Sequence, residues 1–474
     1  MKINHLISIN LQLMKKNLLT LALVVFAFAA CTQAPETAGI LKTDVPVRPA
    51  GQEDVLGLRT EPMETVRVGF VGLGMRGGDA VARYTYVPGV QITAICDVEP
   101  AAVAKSQQAL ARREFPAAKE YTGAEDAYKA LCESDDVDLV YICTDWLHHV
   151  PVALYAMEHG KHVAIEVPAA ATMEDIWALI DASERTRKHC VMLENCCYDF
   201  FEMTALTMAQ AGVFGEIVHV EGSYHHNLDP FWSAYWDNWR LDFNQKVRGD
   251  VYATHGIGPV CQALNIHRGD RMTTLVAMDT DPFNGPKHVE ARTGQPCTEF
   301  ANGDETMTMI RTEKGKTILV EHDVMTPRPY SRMYQLVGTD GYAAKYPVSQ
   351  LCFRSEGAEN VDYQNLGGEK VYTGPAAKAL MDEYRNPILT PELEALAKTV
   401  GGHGGMDFIM DYRMIYCLLN GLPMDIDVYD MAEWCCVGPL SRLSLENGSM
   451  PVEVPDFTRG AWDKIQGFSY AFAE

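Results

Sequence analysis

Basic residues are in deficit in this sequence: 40 Lys and Arg stand against 63 Asp and Glu, a formal net charge of -23 over 474 residues. A surface of that sign repels nucleic acid and anionic membrane, so neither is expected as a partner. Long apolar runs are missing too. Leu18 to Phe28 falls short of the ~20 residues a membrane-spanning helix needs. Zinc-type cysteine spacing is absent: Cys196-Cys197 and Cys435-Cys436 are adjacent pairs. Cys96, Cys132, Cys143, Cys190, Cys261, Cys352 and Cys417 lie in apolar runs, where a thiol acts as a small hydrophobe. No metal is expected. There is no internal repeat.

What is present is a chain long enough for two cores, with 47% hydrophobic and 9% aromatic residues. Residues 1–31 read as an export signal: Lys15 and Lys16, the apolar run, then Ala29-Ala30-Cys31. This resembles a bacterial lipoprotein signal in which Cys31 carries the lipid, although Phe28 stands where Leu is usual; a start at Met14 would make it more typical. The protein is therefore expected outside the cytoplasm, lipid-anchored to a bacterial membrane at the periplasm or cell surface. Cleavage without lipidation is the alternative.

Residues 32–64, rich in Pro, Thr, Glu and Gly, read as a tether. Over 65–195, short apolar strands alternate with helices: Val66 to Val71, Val90 to Cys96, Val137 to Cys143, His162 to Val167 and Cys190 to Glu194. Helices are expected from about Arg76, Pro100, His149 and Thr172. This is the pattern of a doubly wound parallel sheet. Over 196–474 the runs Glu216 to Tyr224, Thr273 to Asp279, Glu305 to Thr312, Lys316 to His322 and Arg332 to Gly338 alternate in polarity. Gly315 suits a hairpin turn, and helices return at Pro391 to Thr399 and Met406 to Leu419. The second domain is expected to be α+β with a large, mostly antiparallel sheet.

Gly72, Gly74 and Gly77 follow the first strand and open a helix, and Asp97 ends the next strand. Glycines in this context allow the tight turn, the approach of a pyrophosphate and the close meeting of helix and strand. The helix N-terminus favours phosphate. Asp97 suits the adenosine ribose and repels a 2′-phosphate, so the expected cofactor is NAD.

Three segments extend the pattern: T-D-W-L-H-H (Thr144 to His149), I-E-V-P-A (Ile165 to Ala169) and G-D-V-Y-A-T-H-G-I-G-P (Gly249 to Pro259). With the fingerprint they resemble the glucose–fructose oxidoreductase / inositol dehydrogenase family from Val66 onward. That resemblance implies a Rossmann domain joined to an open-sheet domain whose face forms the substrate floor. Two departures matter. Glu166-Val167-Pro168 stands where sugar dehydrogenases of the family carry E-K-P, and His255 and Pro259 stand at the places of their Asp and His base.

The altered set, with G-L-G-M-R-G, E-V-P-A-A, L-E-N-C-C-Y, Y-A-T-H-G-I-G-P, N-I-H-R-G-D and P-R-P-Y-S-R, resembles glycoside hydrolase family 109, the NAD-dependent α-N-acetylgalactosaminidases. The resemblance implies NAD contacts at Met75, Arg76, Asp97, Trp146, His149, Glu166, Val167 and Asn195. It implies sugar contacts at Tyr224, Arg240, Tyr252, His255 and Tyr330, with His255, Tyr198 and Tyr252 at the chemistry. The implied substrate is a glycan ending in N-acetylgalactosamine, cleaved by a redox-neutral cycle of oxidation, elimination, addition and reduction. Self-association over the open sheet is implied by the family alone.

Read as residues, His255 has the unperturbed pKa of a proton carrier near neutrality, or could simply cap a helix. Tyr252 shares its face if the segment is helical. Tyr198 suits either the chemistry or a core, and which of Tyr198 and His255 takes which proton stays open. His225 and His226, adjacent on a strand, face opposite sides and chelate one ion poorly. Phe231, Trp232, Tyr235, Trp236 and Trp239 suit a core or rim, Arg240 a sugar or a surface ion pair, and Gly401 to Gly405 a turn or a ligand contact. Two other functions fit the same residues: a periplasmic NAD-linked sugar dehydrogenase, and a non-catalytic sugar-binding lipoprotein that retains NAD.

Overall fold

In a computed structural model, which describes residues 39–354, 369–468 and 470, the apolar runs of the N-terminal half form one parallel sheet. Its strands are β1 (Val66–Val71), β2 (Val90–Asp97), β3 (Lys119–Thr122), β4 (Leu139–Ile142), β5 (His162–Ile165) and β6 (Cys190–Met192). They stand in the order β3-β2-β1-β4-β5-β6 with every pair parallel. Helices α1 (Met75–Tyr84), α2 (Pro100–Arg112), α3 (Ala127–Cys132), α4 (His149–Glu158) and α5 (Met173–Thr186) alternate with the strands. All residues of β4 and β5 are buried, as expected where both faces of a parallel sheet are covered. The strand order reverses between β1 and β4, which opens the crevice where such sheets bind ligands.

The second sheet has nine strands among the described residues: β7 (Ile217–His225), β8 (Met272–Asp279), β9 (Glu305–Thr312), β10 (Thr317–Asp323), β11 (Gln335–Gly338), β12 (Gly341–Ala344), β13 (Gln350–Arg354), β14 (Glu369–Thr373) and β15 (Val452–Glu453). The order is β14-β13-β12-β11-β7-β10-β9-β8-β15. Only β7 and β10 pair in parallel. Gly315, at φ +82°, turns the chain between β9 and β10 as expected.

The remaining helices are α6 (Phe200–Gln210), α7 (Trp239–Lys246), α8 (Thr254–Ala263), α9 (Gly285–Thr293), α10 (Pro375–Glu383), α11 (Pro391–Val400), α12 (Met406–Asn420), α13 (Val428–Cys435) and α14 (Val437–Glu446). Helix α8 lies so close to β7 that a Cβ on Gly222 would fall 2.1 Å from the Gly256 carbonyl oxygen, and one on Gly256 2.5 Å from Ser223 N. This approach sets the start of α8 against the end of β7. Pro259 sits inside α8, and its missing N–H leaves the His255 carbonyl without its intrahelical partner. Helix α12 returns to the first sheet, where Arg83 Nε donates to Asp411 at 2.7 Å and the Tyr141 hydroxyl donates to the same carboxylate at 3.2 Å.

The tether expected over 32–64 is corrected where it is described. Within the body Lys42–Glu474, Arg48 Nε donates to buried Glu184 at 2.9 Å, Val55 N–H donates to the Tyr429 hydroxyl at 3.1 Å, and Met63 N–H donates to the Leu418 carbonyl at 3.2 Å. Val55 is 3% exposed. A polar, aperiodic composition lacks a repeating pattern, but single anchors hold this strap to the body. The export signal and Cys31 lie outside the described residues.

Candidate active site at the switch point

The cofactor half is built on the turn after β1. A Cβ on Gly77 would fall 1.8 Å from the Gly72 carbonyl oxygen, so helix and turn meet only through glycine. At Gly74 an added Cβ would meet no protein atom within 4 Å, and no side chain caps α1 there. Open space in front of uncapped helix N–H groups is what a pyrophosphate needs. Asp97 accepts from Leu73 N–H at 2.6 Å and Glu99 N–H at 2.8 Å, which fixes its carboxylate at the end of β2 beside the turn. These features fit the expected dinucleotide.

Arg76 ties the far side of this half together. Its Nε donates to Glu166 Oε1 at 3.1 Å and its Nη1 to Asp407 Oδ2 at 3.2 Å. Asn195 Nδ2 donates to Asp407 Oδ1 at 2.6 Å, and His403 Nδ1 lies 3.0 Å from Asp407 Oδ2. Burial would raise the Asp407 carboxyl, but His403, Arg76 and Arg83 override it and hold the group well below the usual carboxylate range. The glycine-rich stretch before α12 thus presents His403 to the expected NAD contacts. The stretch Gly401 to Gly405, which holds His403, suits a turn or a ligand contact in the sequence, whereas nothing there points to Asp407.

Two further expected NAD contacts, His149 and Trp146, lie at the loop after β4. His149 is buried with Nδ1 2.9 Å from the Pro168 carbonyl and Nε2 3.0 Å from the Thr144 carbonyl, so its ring packs between the loops after β4 and β5 and donates to one of the two. Burial lowers its pKa. Trp146 stacks on Tyr252 at 5.5 Å and meets Trp239 and Phe243 edge-on. Met75 is exposed at the start of α1, and Val167 is buried.

The sugar half gathers on the end of β7 and the start of α8. Tyr224, Tyr252 and His255 form a ring triangle with centroid distances of 4.7, 5.2 and 5.0 Å. Arg240 lies over the Tyr252 ring at 4.4 Å and donates to the Tyr235 hydroxyl at 2.6 Å. It is 5% exposed, its Nε has no partner, and no carboxylate among the described residues pairs with it. A buried guanidinium in that condition is suited to a polar ligand. The surface ion-pair reading of Arg240 is thereby excluded. Tyr330 packs edge-on against His226 at 5.2 Å, and His226 stacks on Tyr224 at 5.6 Å, so Tyr330 forms the exposed rim. Burial pushes the Tyr224 hydroxyl up to about 12 and raises that of Tyr252, so both are neutral proton donors near pH 7.

One residue that sequence reasoning missed organises this half. Glu194, wholly buried after β6, places Oε1 2.6 Å from His255 Nδ1 and accepts from Cys196 N–H at 3.2 Å. A carboxylate only accepts, so Nδ1 carries the proton and Nε2 of the neutral ring is free to accept. The Tyr252 hydroxyl lies 3.2 Å from that Nε2. Tyr198, by contrast, is not brought to the chemistry. Its hydroxyl donates to Asp425 Oδ2 at 3.4 Å, its ring stacks on Tyr470, and Asp425 is paired with Arg413 at 2.8 Å. It is a core tyrosine with a satisfied hydroxyl.

Comparisons with known proteins agree with this division. The model of the C-terminal domain of glycosyl hydrolase 109 matches residues 198–464, and that of the oxidoreductase family with an NAD-binding Rossmann fold matches 66–194. A glycosyl hydrolase family 109 protein of Bacteroides fragilis is 60% identical, covering 94% of this chain and 97% of that protein. Its counterpart in Bacteroides thetaiotaomicron is 59% identical over 98% and 100%. Levoglucosan dehydrogenase, solved with NADH, shares the fold with a TM-score of 0.61 at 20% identity, covering 83% of this chain and 100% of that one. The chain belongs to glycosyl hydrolase family 109 and carries an NAD-binding Rossmann domain.

Proposed function

We propose that this protein hydrolyses terminal α-N-acetylgalactosaminides in a redox-neutral cycle, with NAD retained throughout. The observation that carries the reading is the chain Glu194–His255–Tyr252 beside Tyr224 and Arg240. An ordinary glycosidase needs two carboxylates for acid and base work. Here Glu166 is engaged by Arg76 and Glu194 by His255, so proton transfer falls to the histidine and tyrosine. Bound NAD supplies a reversible oxidation at sugar carbon 3, which makes the hydrogen on carbon 2 acidic. His255 Nε2 accepts a proton from the sugar, and Glu194 stabilises the imidazolium that results. The Tyr252 hydroxyl relays that proton, taking one from the sugar as it passes its own to Nε2, so a single proton moves at each step and returns by the same path. Arg240 and Tyr224 orient the sugar, and Tyr330 closes the rim.

Gly74 and the uncapped start of α1 would hold the pyrophosphate, and Asp97 the ribose. Val167 occupies the place of the lysine used by sugar dehydrogenases, which disfavours simple oxidation as the net reaction. Incubation with an aryl α-N-acetylgalactosaminide without added NAD tests the reading. Aryl release without accumulating NADH is expected; net NADH would indicate a dehydrogenase, and neither signal a binding protein. Lipid attachment at Cys31 belongs to the same reading. Cys31→Ala should move the protein from the membrane to the soluble fraction, and unchanged partitioning would refute the anchor.

A further inference from the structure

On the face of the second sheet opposite Tyr224, three strand ends bring together groups that the reaction does not use. His225 at the end of β7 is in register with Asp323 of β10, which is in register with Glu305 of β9. Glu321 lies two residues before Asp323 on the same face. His225 is 1% exposed, and its Nε2 lies 3.0 Å from Glu321 Oε2 and 3.9 Å from Glu305 Oε1.

The proton count is the unusual feature. The Ser223 hydroxyl donates to the Ser331 carbonyl at 3.1 Å, so its 3.3 Å contact with His225 Nδ1 takes the ring proton. Nε2 of the neutral ring is then a bare lone pair pointing at carboxylates. Although Glu321 is only 3.0 Å away, Nε2 makes no hydrogen bond, and neither does the buried Glu305 Oε1. Glu321 therefore lies off the axis along which an Nε2–H would point. Two ligands of one ion stand in this relation: each is ~2 Å from the metal and ~3 Å from the other.

Charge leads to the same place. Asp323 is spent on Met325 N–H, Thr326 N–H and the Thr326 hydroxyl. Arg328 donates to Glu305 Oε2 at 3.0 Å, leaving Oε1 to face His225, and to Glu321 Oε2 at 3.1 Å, the same oxygen that lies beside His225 Nε2. Three carboxylates against one guanidinium leave two negative charges.

We infer that His225 Nε2, Glu305 and Glu321 bind one divalent first-row transition ion, zinc by ligand type, as a structural site. Arg328 remains as an outer-sphere partner. The ion would pin the end of β7 that carries Tyr224 and, through Arg328, the loop that carries Tyr330. Neither NAD nor the sugar reaction enters the inference. Its weak trace in the sequence is plain: the carboxylates lie far along the chain from the histidine, on two other strands.

The test is a titration of chelator-treated full-length protein with Co2+ as the optical probe, followed by a Zn2+ competition. A visible Co2+ band saturating at one equivalent per chain, displaced by Zn2+, is expected. His225→Ala and the near-isosteric Glu305→Gln should each weaken it at least about tenfold, the scale lost when even outer-sphere partners are removed. Glu194→Gln, at a separate histidine–carboxylate group, should leave it unchanged. No saturable binding near neutral pH would overturn the site, as would binding that survives in folded Glu305→Gln, leaving the group a proton-bridged cluster.

Discussion

Glu194 Oε1 stands 2.6 Å from His255 Nδ1 with the carboxylate fully shielded from water. A carboxylate in this place fixes the tautomer as well as the orientation of the ring. Glu194→Gln keeps the shape but presents either an amide N–H or a neutral oxygen to Nδ1. By comparison with buried carboxylate–histidine pairs in hydrolases, turnover should fall by roughly 10²–10⁴-fold while NAD content is retained. Burial would raise the Glu194 carboxyl, but His255 overrides this and holds it below its ordinary value. The stabilisation it gives is thus complete above the ordinary glutamate range and is lost as pH falls through the depressed value. Thermal melts from pH 7 to 3 should show a steeper acid loss in wild type than in Glu194→Gln. Parallel curves and unchanged turnover would remove Glu194 from the mechanism.

The two glycines of the turn should separate folding from cofactor binding. At Gly77 an added methyl meets backbone, so Gly77→Ala should lower Tm by several degrees and lose NAD. At Gly74 it meets only open space, and φ is already negative there. Gly74→Ala should therefore fold with a near-native Tm and yet release at least about tenfold less NAD on acid denaturation, since the methyl blocks the phosphates. Normal NAD content in Gly74→Ala would contradict the placement of the pyrophosphate.

Asp250, two residues before Tyr252, provides a stability test. No side chain among the described residues pairs with its carboxylate, and burial, only partly offset by the Tyr252 backbone N–H, pushes the group from 3.8 up to about 7. Between those values the folded chain holds a proton that the unfolded chain has released, so stability falls as pH rises from 4 to 7 and stays low above. Asp250→Asn should remove that penalty, stabilising the protein by roughly 1–3 kcal/mol at pH 8 and far less at pH 4.5. Chemical denaturation at the two pH values checks this, and equal shifts at both would be the contrary result.

What could be read from the sequence was local or periodic. The turn Gly72 to Gly77, its strand and Asp97 are contiguous, and the covered strands are apolar runs. β3, K-E-Y-T at the sheet edge, carries no such run and was not read. Helix α8 was hidden by Gly256, Gly258 and Pro259, residues that discourage helices and are here imposed by the close approach to β7. The pairing of Glu194 with His255, and of Arg76 with Asp407, needs the fold, because nothing in either segment points to its partner. Tyr198 failed for the reverse reason: a tyrosine next to a site-forming strand looks the same in sequence whether its hydroxyl faces substrate or Asp425. The composition of 42–64 suggested slack where Arg48 and Val55 make specific anchors.

The most direct test of the redox-neutral cycle is the isotope content of the sugar released in deuterated water. If carbon 2 loses its proton to a base at each turnover, N-acetylgalactosamine released from an aryl α-glycoside should carry deuterium at carbon 2, with no net NADH formed. Mass spectrometry of the product, with nuclear magnetic resonance to locate the label, gives the answer. A released sugar with no deuterium at carbon 2, from protein that still cleaves the glycoside, would contradict the mechanism and return the reaction to direct displacement.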